Sequence, residues 1–217
     1  MRFASTLAAA LFAMVPALAQ AAFYHDQTPS NSLAAAVRVD AFMGRGFNPD
    51  VGDVLGNNLS TRLDWVTIFG EGDGAFDYFS FGSAGGTIVA DIDYTMLFPD
   101  GFDPQIAIWR DLGGGSFQLL AENDDFSILA GAGGSLHPFD SFIQLDGMAP
   151  GRYVVGVATF FSQANNTGWD AGRSSVIEGD RQYGLQIVTT AVPEPEAYAM
   201  MLAGLGLTGL MLRRRRD

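Results

Sequence analysis

The chain has 217 residues and a formal net charge of −12 at pH 7, with no lysine and no cysteine. An acidic, lysine-free surface is a poor partner for nucleic acid or anionic lipid, and the missing thiols exclude disulfides and cysteine nucleophiles. Glycine occurs 27 times and aromatic residues make up 12% of the chain, a composition that suits short strands and tight turns.

The chain opens on Met1-Arg2, a small basic start, followed by an apolar stretch over 7–18 interrupted by Pro16. Small residues at Ala17 and Ala19, or at Ala19 and Ala21, suit the shallow pockets of signal peptidase. Residues 1–21 are therefore expected to be a secretory signal peptide, and the stretch is too short to cross a membrane. Setting aside Arg2, the four C-terminal arginines and Asp217 leaves about −16, or −14 on the mature part once Glu194 and Glu196 also leave, a balance that favours solubility or divalent cations. That part, 22–191, is long enough for one domain.

Residues 23–32 are polar and expected to be loose, with one short helical turn within 30–36. No later segment sustains a 3.6-residue apolar period. Short apolar runs bounded by Gly, Asp, Asn and Pro instead predict strands at 64–69, 77–81, 87–94, 105–110, 117–121, 141–145, 151–160 and 182–189. Within 87–94, Ile92 and Tyr94 face opposite to Asp91 and Asp93, which places the two aspartates on the solvated side. The run 153–158 is almost continuously apolar, as in a central strand. Trp65 is expected in the core, and Trp109 is ambiguous. Three long loops are expected, at 42–58, 123–139 and 162–180. The fold class is all-β: a single β-sandwich of jelly-roll type with its core at about 64–190.

An ordered series of segments supports that class. It comprises Asp77-Tyr78-Phe79-Ser80-Phe81, residues 87–93, Asp103-Pro104-Gln105-Ile106-Ala107-Ile108, residues 119–125, Asp140-Ser141-Phe142-Ile143, residues 151–157 and Tyr183-Gly184-Leu185-Gln186-Ile187. The series resembles the bacterial pre-peptidase C-terminal type of domain, a secreted jelly roll. The resemblance implies a non-catalytic accessory or binding module. The glycine-rich segment 130–136 and the loop 162–180 depart from the family pattern.

The turn 111–116 predicts a hairpin between two strands, and pairing outward from Gly114 brings Asp103 opposite Asp124 and Asp125, with Asn123 adjacent. Carboxylates so placed repel unless solvated, protonated or bridged by a cation. Calcium takes six to eight oxygens, and Asp103, Asn123, Asp124, Asp125 and, before the next strand, Asp140 are candidate ligands. The alternative is that these residues cap strand ends and turns through their own backbone. Glu71-Gly72-Asp73-Gly74, with Asp77 following, predicts a tight turn into the next strand. Trp169 lies among Gln163, Asn165, Asn166 and Asp170 and is a candidate to stack on a sugar ring; the alternative is a loop anchored by its one buried aromatic. His25 and His137 are the two histidines, and no Gly-x-Ser-x-Gly elbow is present. Catalysis is not expected.

The C-terminal stretch is the most specific in the chain. Pro193-Glu194-Pro195 forbids helix and makes a stiff, accessible stalk. The apolar run 197–212 reaches about 24 Å as a helix, slightly short of a bilayer core. Arg213, Arg214, Arg215 and Arg216 hold its end in the cytoplasm. Triplet, apolar helix and arginine cluster together resemble the PEP-CTERM sorting signal of Gram-negative bacteria, over 192–217. That resemblance implies an exosortase as partner, transient residence in the inner membrane, cleavage near the triplet and delivery to the cell surface or extracellular matrix. It further implies a link to exopolysaccharide and biofilm. The competing readings are a calcium-assisted carbohydrate- or protein-binding module and an uncharacterised secreted hydrolase.

Overall fold

The computed structural model describes residues 23–26, 30–46, 63–93, 95, 101–128, 135, 137–190 and 203–205. The β-rich unit is Ala19–Val192. Its strands are β1 (Phe23–His25), β2 (Val37–Arg38), β3 (Asp64–Glu71), β4 (Asp77–Ser83), β5 (Gly86–Asp93), β6 (Pro104–Gly113), β7 (Ser116–Asn123), β8 (Phe142–Met148), β9 (Gly151–Thr159), β10 (Ala164–Asn165), β11 (Gly168–Trp169) and β12 (Gln182–Thr189). Every one of the eight expected strands lies within or overlaps an observed one.

Two five-stranded sheets form, in the orders β1-β3-β12-β5-β8 and β2-β4-β9-β6-β7. Successive long strands cross from one sheet to the other, except at the β6–β7 hairpin, and all eight long strands pair antiparallel. The result is a β-sandwich. Side-chain parity builds its centre: Ile68 of β3, Ile88 and Ile92 of β5 and Ile187 of β12 meet Phe79 and Phe81 of β4, Ile108 of β6 and Val155 of β9.

Two expectations need correction, and one short strand was not expected. Phe23–His25 is not loose; it pairs parallel with β3, Phe23 opposite Thr67 and His25 opposite Phe69. A second short parallel addition, Val37–Arg38, pairs with β4. Neither has enough residues to show period-two alternation, which is why the sequence pattern missed them. Asp91 and Asp93 are not solvated: they are 2% and 0% exposed. Their parity is as expected, pointing away from the inter-sheet core, but that outer face is itself covered. Trp65, Val89 and Val188 form a buried cluster on it, with Leu63 and Phe142 alongside. Ser135 donates its hydroxyl to Asp93 Oδ1 at 2.9 Å.

The outer face of the second sheet is covered too. There Tyr78, Ala107, Trp109, Val154 and Ala158 pack against Leu33 and against Trp169 of the loop between β9 and β12. The loop expected at 162–180 therefore contains the β10–β11 hairpin and acts as a third layer. The turn expected within 30–36 is a 3-10 turn at Leu33–Ala35.

Candidate functional site

Residues at the start of β6, the end of β7 and the start of β8 meet at one corner of the sandwich. The β6–β7 register explains this. Ile106 pairs with Asn123, so Asp103 just before β6 stands near Asp124 and Asp125 just after β7. Two register shifts, at Ile108/Trp109 and at Asp111/Gly113, interrupt the even pairing expected from Gly114 outward. Gly113, Gly114 and Gly115 turn the hairpin with φ of 83°, 63° and 79°, and Asp111 Oδ1 accepts from the Gly113 amide at 2.7 Å.

Ser141 ties the corner together, its hydroxyl 2.8 Å from the Pro104 carbonyl and 2.7 Å from the Asp124 carbonyl. Asn123 Oδ1 accepts from the Phe142 amide at 3.2 Å, and Asp140 Oδ1 accepts from the Thr95 hydroxyl at 2.7 Å. Asn123 and Asp140 thus bond to residues distant in sequence rather than to their own backbone. Asp103 Oδ1 is buried and makes no hydrogen bond among the described residues. Burial, followed by the charges of Asp125, Asp124 and Asp140, pushes the Asp103 carboxyl up to about 6, against an opposing effect of His137. Among the described residues, no three carboxylate or imidazole groups converge closely enough to hold a metal ion.

A second carboxylate is buried more deeply. Asp77 begins β4 on its inward face, and Tyr183 of β12 donates its hydroxyl to Asp77 Oδ2 at 2.6 Å across the two sheets. The reach depends on Gly70, the cross-strand neighbour of Tyr183, where an added Cβ would lie 2.0 Å from the Tyr183 ring. Burial, with the charges of Asp26 and Asp73, raises Asp77 to about 7 despite that hydrogen bond. Burial also raises the Tyr183 hydroxyl well above its usual range, helped by the Asp77 charge. The sequence placed Asp77 after a tight turn but carried no signal for its partner, which lies far along the chain.

Trp169 is not a ring presented to solvent. It is 6% exposed, meets Trp109 edge-on at 5.6 Å, and stands 6.3 Å from Phe76. Its amide donates to the Tyr78 hydroxyl at 2.9 Å. Trp109 Nε1 donates to the Asn165 carbonyl at 2.7 Å, and Asn166 Oδ1 accepts from the Leu119 amide at 2.9 Å. The polar residues around Trp169 satisfy the backbone and leave its ring buried, so no face remains for a sugar. The aromatics that this loop does expose are Phe160 and, far more, Phe161, which is 80% accessible and which no periodicity marks.

A second tether holds the loop. Gln105 Nε2 donates to Glu122 Oε1 at 2.6 Å and to the Ser162 carbonyl at 3.1 Å, while Gln105 Oε1 accepts from the Ser162 amide at 2.9 Å. Glu122 Oε1 also accepts from the Ala164 amide at 3.1 Å. Burial raises the Glu122 carboxyl, with the Asp124 charge adding to it.

Pro193, Glu194, Pro195, Arg213, Arg214, Arg215 and Arg216 lie outside the described residues, as does the expected signal peptide at 1–21. Residues 203–205, within the expected membrane span, are helical. No helix among the described residues is long and apolar enough to cross a membrane.

Residues 191–216 match the PEP-CTERM protein-sorting motif. That motif implies an exosortase as processing partner, export and transient membrane anchoring. No protein of curated function matches the chain significantly. Among solved structures, the chain is similar to a mitogen derived from Yersinia pseudotuberculosis. The identity is 12%, the alignment covers 61% of this chain and 90% of the mitogen, and the TM-score is 0.35.

Proposed function

We propose that the chain is an exported, non-catalytic surface or extracellular-matrix protein of a Gram-negative bacterium, sorted by an exosortase and linked to exopolysaccharide or biofilm. One observation carries the reading: the match of residues 191–216 to the sorting motif. In this reading the sequence Pro193-Glu194-Pro195 marks the segment that a membrane-embedded protease recognises, and the arginine cluster sets the orientation of the tail. The jelly-roll reading of the sandwich, and with it the likeness to pre-peptidase C-terminal domains, is supported by the strand orders β3-β12-β5-β8 and β4-β9-β6-β7. A module of that kind has no need of catalysis.

A C-terminal epitope placed after Asp217 tests the sorting. It is expected to disappear from the exported protein of wild-type cells, with intact mass locating the cut near Pro193. Combined Pro193→Ala and Glu194→Ala changes are expected to leave a heavier, membrane-retained form. An epitope that persists on the exported protein would make the tail a plain anchor.

The charges of Asp125 and Asp124 acting on the half-buried Asp103 motivate a second reading, in which calcium draws these carboxylates closer than they stand in the described residues and assists binding at that corner. Calcium bound only by the folded state raises the melting temperature by mass action, and Asp124→Ala is expected to abolish the increment. An unchanged melting curve in millimolar calcium against chelator returns the corner to its strand-end role.

A further inference from the structure

Phe161 combines two costs. It is 80% exposed, and its backbone is left-handed, with φ of 72°. A bulky residue in that region is sterically strained, and an exposed ring recovers none of that cost through burial. Such an outlier on an ordered loop points toward a function for the side chain it presents.

The surroundings hold this conformation in place. On one side the Thr159 amide donates to the Ser175 carbonyl at 3.0 Å, and the Phe160 amide donates to the Asp103 carbonyl at 2.7 Å. On the other, the Ser162 amide is bound by Gln105, and the Ser162 hydroxyl donates to the Thr159 carbonyl at 2.6 Å. Phe160 braces the ring edge-on, with centroids 5.7 Å apart and planes at 84°. The ring is presented rather than merely left outside.

Beside it is an open depression of about 550 Å³ lined by Phe161, Gln163, Arg173, Ser174 and Ser175, within the roughly 300–1,000 Å³ of small-ligand sites. Arg173 Nη1 donates to Gln163 Oε1 at 3.0 Å, which orients the amide and leaves its Nε2 group as a donor. Neither Gln163 Nε2 nor the remaining guanidinium N–H groups of Arg173 make a bond among the described residues. One aromatic wall thus stands next to an amide and a guanidinium.

We propose that this depression is a saccharide site, with a neutral, gluco-configured sugar ring stacked on Phe161 and its hydroxyls bonded by Gln163 and Arg173. A lipid or an apolar protein surface would strip water from those donors without replacing their hydrogen bonds. A β-linked glucose unit offers an apolar C–H face to the ring and equatorial hydroxyls to the donors. The net charge of −12 and the acidic corner next to Phe160 select a neutral polymer over an acidic one. This deepens the exopolysaccharide part of the reading above and does not depend on the sorting tail.

The test is affinity electrophoresis of the full chain through gels containing hydroxyethylcellulose, mixed-linkage β-glucan or polygalacturonate, followed by calorimetry with cellohexaose. Retardation is expected in the two neutral glucans and not in polygalacturonate. Phe161→Ala is expected to weaken cellohexaose binding about tenfold or more, equivalent to about 1.4 kcal/mol, with an unchanged melting temperature. Gln163→Ala, which leaves the ring in place, is expected to weaken it less. Mobility that no neutral glucan alters, or a Phe161→Ala protein that binds as well as wild type, overturns the site. So does binding to phosphatidylcholine vesicles that Phe161→Ala abolishes while glucan binding is absent. If glucan binding fails while the C-terminal epitope is still removed, the site alone is wrong; if binding holds while the epitope persists, the sorting reading alone is wrong.

Discussion

Trp169 and Phe161 belong to the same loop and meet opposite fates. Trp169, amid amides and an aspartate, is packed between Trp109 and Phe76 over the second sheet. Phe161, next to Phe160 at the end of an apolar strand, stands in solvent on a strained backbone. Local polarity therefore says little about which ring is buried. What matters is which backbone groups the neighbouring side chains satisfy. Asn165 and Asn166 bond to the second sheet and draw Trp169 inward, whereas Ser162 and Gln105 fix the chain so that Phe161 points out.

The strongest way to break this contrast is Trp169→Ala. Removing a buried indole that anchors a third layer is expected to cost about 3–5 kcal/mol in denaturant unfolding. A loss under about 1 kcal/mol would mean that the loop does not stabilise the second sheet.

Two carboxylates repeat the contrast in pH. Asp77 is 3% exposed, while Asp103 is half-buried. A carboxyl raised from 3.8 to about 7 in the folded state keeps its proton while the unfolded chain has lost it. Its contribution is therefore fully present below about pH 4 and is lost as pH rises to about 7, by at most about 4 kcal/mol. The domain is expected to melt at a higher temperature at pH 5 than at pH 8. Asp77→Asn, which preserves an acceptor for Tyr183, is expected to remove most of that difference. A slope left unchanged by Asp77→Asn would assign the pH dependence to Asp103 and Glu122, both of which shift in the same direction.

A smaller effect sharpens the packing side. Gly156 lies beneath the aromatic cluster, where an added Cβ would be 2.8 Å from Trp109 Cζ3 and 3.0 Å from both Trp169 Nε1 and Tyr78 Cδ1. Gly156→Ala is expected to cost about 1–3 kcal/mol by overpacking, and combining it with Trp169→Ala should cost less than the sum. Full additivity in that double-mutant cycle would mean that the two residues do not share a cavity.

The smallest effect belongs to Phe161→Gly. Glycine adopts positive φ without steric cost, so stability is expected to stay the same or rise by about 1 kcal/mol. A clear loss would show that the exposed ring packs in solution.

The strands were the most legible part. Period-two runs between Gly, Asp and Pro are local, and the eight long strands were readable within a few residues of their ends. The Asp103 corner was partly legible, because a hairpin turn implies its own pairing. The two register shifts, the Ser141 bridge and the burial of Asp140 were not, since each depends on residues contributed by another strand.

The sequence alone determined which segments are the eight long strands, which side chains share a face, and that residues 191–216 carry a sorting motif, because alternation, turn chemistry and short motifs are properties of neighbouring residues. Only the tertiary structure decided whether a face meets water. Asp91 and Asp93 have the expected parity and are nonetheless buried on the outer side of their sheet, where Trp65, Val89 and Val188 cluster and Ser135 bonds Asp93. Asp77 and Tyr183, and Trp109 and Trp169, likewise meet only after the sheets stack and the loop folds over them. Burial is set by what packs above a surface, and that partner comes from elsewhere in the chain.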